Sequence, residues 1–195
     1  MELAVKDLGA RINDNGVFSK FAGKISTDME EIVNKVAQSG LISLDLEDYY
    51  PKEETVVFDI KHYLFMEMIL KEKDFRAALQ THDWEQYRDK IVAITCTADA
   101  VVPMWAYMLV MTYLQPVARY AAFGDAEAVY RSVFLQQLRD IDTSEYVDKR
   151  VVVKGCGDKG AGEAAYAEIT RLLLPVVKSI MYGEPCSTVP IYKKK

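Results

Sequence analysis

The chain has 195 residues, a mass of 22.1 kDa, 50% hydrophobic and 27% charged residues, and a formal net charge of −5. That length suits one domain or two very small ones, and the composition excludes disordered, collagen-like and low-complexity classes for the bulk of the chain. A pI near 5.2 lacks the basic footprint of a general nucleic-acid binder, so no nucleic-acid partner is expected and Lys193-Lys194-Lys195 reads as a solvated tail.

Residues 1–28 mix charges evenly, hold Gly9, Gly16 and Gly23 and show no sustained period; they read as a loosely ordered extension ahead of a single domain over 29–195. The N-terminal stretch lacks the apolar core of a secretory signal. From Met29 a short helix is expected, with Ile32, Val33 and Val36 on one face and Gly40 as its stop. Residues 45–51 form an acidic turn in which Asp45, Glu47, Asp48, Tyr49 and Tyr50 read as solvated rather than as a hard-metal or partner site. Residues 55–60 (TVVFDI) read as a strand, with 63–70 as its hairpin partner, and Asp74 caps a helix through Phe75, Ala78 and Leu79.

The chain then alternates. Residues 91–95 are a buried-strand pattern, 103–114 a helix with proline in its first turn, and 120–123 a strand. Residues 126–141 are an amphipathic helix, 150–154 a strand, 162–177 a helix and 179–182 a last strand. The uncharged run 100–118 is interrupted by Pro103 and Pro116, so it reads as a central helix buried on most sides rather than a membrane span. On this reading Met104, Trp105, Met108 and Met111 are core. The alternation predicts an α/β fold: one three-layer domain, a mostly parallel sheet with helices on both faces, and an N-terminal hairpin.

The region also repeats itself, as two similar βαβ units over about 91–125 and 151–184. Pro116 falls on Pro175 and Gly124 on Gly183; Cys96 falls on Cys156 if one residue is deleted from the strand–helix turn. Cys96, Cys156 and Cys186 would then each lie just past the C-terminal end of a strand. In a parallel sheet those ends share one edge, where open α/β sheets bind ligands. Three thiolates in a chain without an export signal point to a reducing, cytoplasmic compartment and to soft-metal chemistry, zinc or an iron–sulfur cluster. Asp99, Asp158, Glu184 or His62 would supply nearby polar groups. The spacing is not diagnostic, and free cysteines also serve simply as core.

Other readings use the same region. Gly155, Gly157 and Gly160 form a G-x-G-x-x-G after a strand and before a helix, the context of a nucleotide-binding turn, although Asp158 would stand beside the phosphates. Cys156, at the turn into a helix, suits a low-pKa nucleophile. Both histidines, however, lie in the first half of the chain, with His82 reading as an exposed or capping residue. A non-catalytic interaction protein, with a homo-oligomer open to it, is the third class, and an enzyme is the less favoured outcome.

Six blocks carry a resemblance: SGLISLDLEDYYP (39–51), VVFDIK (56–61), His82-Asp83-Trp84, AITCTADAVVPMWAYM (93–108), VVVKGCGD (151–158) and EITRLLLPVVKSIMYGEPCSTVPIY (168–192). From Met29 to the C-terminus the chain resembles an uncharacterised bacterial family, a domain of unknown function. The resemblance implies no established activity. It implies an accessory role beside sulfur-mobilisation (Suf-type) iron–sulfur assembly proteins, and so agrees with the thiolate reading of Cys96, Cys156 and Cys186.

Overall fold

The computed structural model describes residues 40–155 and 161–195. The expected extension over 1–28 and the helix from Met29 up to Gly40 lie outside them, Gly40 itself being described, as do Cys156, Gly157, Asp158 and Gly160.

The mixed α/β class is as expected, but the strands divide between two sheets. One has the order β1 (Leu41–Asp45), β5 (Arg150–Lys154), β6 (Ser179–Glu184), β7 (Ser187–Lys193); the other has β2 (Thr55–Asp59), β3 (Ile91–Thr95), β4 (Tyr120–Phe123). All pairs are parallel except β6–β7. Among the described residues four helices connect them: α1 (Glu72–Thr81), α2 (Met104–Leu114), α3 (Ala126–Arg139) and α4 (Gly162–Leu173).

The two sheets belong to two similar halves, one nested inside the other. The inner half runs β2, α1, β3, α2, β4. The outer half starts with β1, is interrupted by the inner half, and resumes with α3, β5, α4, β6. A constant shift of 59 residues relates Phe75 to Phe134, Leu79 to Leu138, Asp83 to Asp142, Ile91 to Arg150 and Leu114 to Leu173. Tyr107 edge-on to Phe123, 5.1 Å, repeats as Tyr166 edge-on to Tyr182, 5.4 Å. The same shift carries the strands through their ends, so no residue is deleted there. Cys96 is therefore equivalent to Gly155, and in the sequence the same shift aligns Thr97, not Cys96, with Cys156. Matching the two cysteines by identity displaced the register by one.

The first strands repeat as well, and this explains two departures from the expected elements. Residues 45–51 do begin an acidic turn, but Asp45 ends a strand, and its carboxylate accepts the Glu47 N–H to start a 3-10 turn over Leu46–Tyr49. Asp59 does the same for Lys61 and Ile60–Tyr63. In each half the apolar residue after the aspartate, Leu46 or Ile60, is fully buried. The expected hairpin over 63–70 is thus a 3-10 turn followed by a tight Phe65–Ile69 bridge. Met66 and Glu67 in that bridge take left-handed backbone angles, φ 51° and 58°, which a side chain adopts only at a cost of about 1–2 kcal/mol each.

Helix α3 joins the halves. Asp125 caps it at the Ala128 N–H, directly after β4. Val129 and Val133 pack on Ile91 and Ala93 of the inner sheet. Phe134 and Leu138 enter the core of the outer sheet with Leu44, Val151, Val153, Ile169 and Ile180. The inner sheet is therefore covered on both faces, by α1 and α2 on one side and α3 on the other. Burying both stripes of one helix ties the halves into one cooperative unit. Leu138→Ala should cost about 2–5 kcal/mol and shift a single urea transition. Two separated transitions, with the inner half unmoved, would contradict that coupling.

Candidate functional site

Because the halves share a skeleton, their differences mark what the fold does not require. The largest difference lies on α2. Its inward residues match those of α4 one for one: Ala106 with Ala165, Val110 with Ile169, Leu114 with Leu173, all buried. Its outward residues do not match. Met104 and Met108 are 73% and 70% exposed, where α4 has Glu163 and Ala167. Val101, just before α2, is 92% exposed, and Phe123 at the end of β4 is 70% exposed. Helix α2 carries no charged residue, whereas α4 carries Glu163, Glu168 and Arg171, with Glu168 paired to Arg139 of α3. A helix apolar all round is normally buried; this one leaves one stripe, Met104, Met108 and Thr112, exposed. The helix is buried or half-buried on its other sides, as expected, but the expectation that Met104 and Met108 are core is corrected. Trp105 and Met111 pack against the inner core, but Met104 and Met108 face away from it. The uncharged run was legible in the sequence; its exposure was not, because absence of charge reads the same for a core helix and for a binding face.

A second difference surrounds His82. In the outer half Tyr49 stands beside Tyr146, and after burial it is the next cause that raises the Tyr146 phenol. The equivalent inner-half residues, Tyr63 and Tyr87, have His82 between them, where the outer half has Ile141. Gln86 Nε2 donates to His82 Nε2 at 3.2 Å, and the Tyr87 hydroxyl reaches the same nitrogen at 3.4 Å. With Nε2 accepting, the Nδ1–H donates to the Tyr63 hydroxyl at 3.0 Å. His82 is half-buried, and burial holds its pKa below the ordinary value, partly offset by Asp83. Burial also pushes the Tyr87 phenol up to about 12. The expected cap is its neighbour: Asp83 accepts the Glu85 N–H. Val57, Phe58, Asp59, His62, Tyr63, His82 and Tyr87 line an open cleft of about 320 Å³ here. Asp59 is held by other partners. Burial raises its pKa, but the Thr97 hydroxyl, the Lys61 and Thr97 N–H groups and the nearby His62 together lower it below the usual value.

The cysteines do not share one sheet. Cys96 follows β3 of the inner sheet, half-buried, its thiol 3.8 Å from the Ala98 carbonyl. Cys186 is exposed in the β6–β7 turn of the outer sheet. Asp99 and Glu184 are both exposed. Among the described residues, no three His, Cys, Asp or Glu side chains form a group able to hold a metal. Cys156 lies outside those residues. Of the glycine turn, Gly155 is buried, and a Cβ there would lie 3.0 Å from Leu46 Cβ and 3.2 Å from the Tyr166 hydroxyl, which donates to the Gly155 carbonyl. Packing alone thus accounts for this glycine. The cleft at the start of α4 holds about 370 Å³ and is lined by Glu127 and Glu163, with Arg131 paired to Glu127. Two carboxylates there oppose a pyrophosphate.

Fold and surface together define a duplicated α/β protein in which the helix of the inner half exposes methionines where its counterpart has Glu163 and Ala167. The chain belongs to DUF2480, a family of proteins of unknown function, whose model matches residues 30–194. That description carries no activity, no link to iron–sulfur assembly and no source organism. No curated protein and no solved structure matches the chain. Among the described residues no helix is long and apolar enough to cross a membrane.

The His82 arrangement has a pH signature. A histidine with a depressed folded pKa stabilises the fold above its unfolded pKa, near 6.5, and that stability is lost as pH falls toward the folded value. Wild-type stability to urea should therefore fall between about pH 7 and pH 5, and His82→Gln should flatten the fall. An equal fall in the variant would mean that the imidazole is not held neutral.

Proposed function

We propose that this protein is a non-catalytic interaction protein whose binding surface is the exterior of its inner half, built from α2, the segment before it and the end of β4. The observation that carries the reading is the contrast between Met104 and Met108 on α2 and Glu163 and Ala167 at the equivalent places on α4. One skeleton folds with either exterior, so the apolar one is not explained by folding. Methionine side chains are flexible and polarisable, and suit a surface that adapts to a partner. Contiguous apolar exposure on a water-facing helix marks an interaction site.

A metal or sulfur cargo on Cys96, Cys156 and Cys186 is the more specific alternative, with zinc or an iron–sulfur cluster as the group and iron–sulfur assembly proteins as partners. It rests on the thiolate chemistry of the three residues and on their places after strands. The division of Cys96 and Cys186 between two sheets weighs against it. A small-ligand site at the His82 cleft is a second reading, favoured by the imidazole that the outer half replaces with Ile141.

Met104→Glu combined with Met108→Glu should leave unfolding of the dilute chain within about 1 kcal/mol of wild type, while retention on a hydrophobic-interaction column falls. Ala167→Glu should change neither. A loss of several kcal/mol in the double variant would place both methionines in the core and end the reading.

A further inference from the structure

The outer half indicates what belongs beside β4. Its equivalent strand, β6, is covered along its outer edge by the antiparallel β7, with Tyr182 opposite Val189 and Glu184 opposite Ser187. In the inner half β4 is the last strand of the sheet, and no strand among the described residues lies on its outer edge. The other edges do not differ in this way: β1 and β2 each end their sheets on the opposite side in both halves. The contrast is thus confined to β4, the same place where Phe123 is exposed and α2 is uncharged.

The backbone of β4 fixes the geometry of an added strand. Tyr120 donates to Lys90 and Gly124 to Ile94, both toward β3. By the alternation of a parallel ladder, the N–H groups of Ala121 and Phe123 point outward. Two outward residues two apart suit an antiparallel copy of the same strand.

We propose that the apolar exterior is closed by a second copy of this chain, through antiparallel pairing of β4 with the partner's β4 about a two-fold axis at Ala122. This rests on the reading of that exterior as a binding surface, and names its occupant. In this register Ala121 exchanges hydrogen bonds with the partner's Phe123, and Phe123 with the partner's Ala121. A large ring then lies across from a small side chain on the face that α2 covers. Arg119, 67% exposed and paired with Glu53 of its own chain at 3.5 Å, comes opposite Asp125 of the partner subunit, so the ends of the pairing bring opposite charges together. The two α2 helices flank the joined strands and bring no charge together. The arrangement is isologous and closes at two copies, and it makes one six-stranded sheet from two inner sheets. Pairing through four residues supplies few hydrogen bonds. Val101, Met104 and Met108 supply the apolar area that such a short strand lacks.

Ala121→Pro separates this pairing from folding. Proline is tolerated on an edge strand whose N–H faces outward, and this N–H takes no part in the β3–β4 ladder. Sedimentation of the full chain over a range of concentrations should show a dimer for wild type. For Ala121→Pro, and for Phe123→Asp as a second variant at an exposed site, the dissociation constant should rise at least about tenfold, with the circular dichroism spectrum unchanged. A wild-type monomer at all concentrations overturns the dimer but leaves the binding-surface reading, which the stability of the Met104→Glu, Met108→Glu variant tests separately. A dimer untouched by both strand variants also overturns it. A dimer broken only by the methionine changes would place the contact on α2 and overturn the strand pairing.

Discussion

Everything else in the molecule depends on α3 having two buried stripes. Val129 and Val133 lie under one sheet, and Phe134 and Leu138 fill the core of the other. Its counterpart α1 has Phe75 and Leu79 at the places of Phe134 and Leu138, but serves only the inner core. The second stripe of α3 is what turns a repeated unit into one body. It also fixes β4: the chain leaves that strand and enters α3 within two residues, through the Asp125 cap. The inner sheet consequently has both faces covered while β4 remains its outermost strand.

The duplication separates what the fold needs from what it does not. Shared by both halves are the aspartate that ends each first strand, the Phe and Leu of α1 and α3, the inward stripe of α2 and α4, and the tyrosine–aromatic contact at the last parallel strand. Each is explained by packing or capping. The halves part company at Met104 and Met108, at His82, and at the strand beside β4. These three departures all fall on the inner half. The cysteines do not follow this pattern, since Cys96 replaces a packed Gly155 in the register and Cys186 sits in the hairpin turn peculiar to the outer half.

Much of this was legible in the residues. Alternation gave the α/β class, strand and helix positions from Ile91 onward, and the repeat itself. Two kinds of signal misled. Local apolar patterns at 41–45 and 187–193 are too short or too interrupted, by Pro190 in the second, to announce β1 and β7. Side-chain identity is also a poor guide to register: aligning Cys96 with Cys156 requires a deletion that the repeat does not contain, and placing all cysteines on one edge requires one sheet. Exposure of α2 is a tertiary property. It follows from there being nothing outside α2 among the described residues, which no periodicity can reveal.

The central claim is that the inner half presents a surface made to be covered. Amide hydrogen exchange along β4 tests it most directly. Tyr120 and Gly124 are held by β3, so they should be protected at any concentration. The outward amides of Ala121 and Phe123 should also be protected in concentrated protein and lose that protection on dilution. Exchange at Ala121 and Phe123 that is fast throughout, as expected for an edge left in water, would contradict the account.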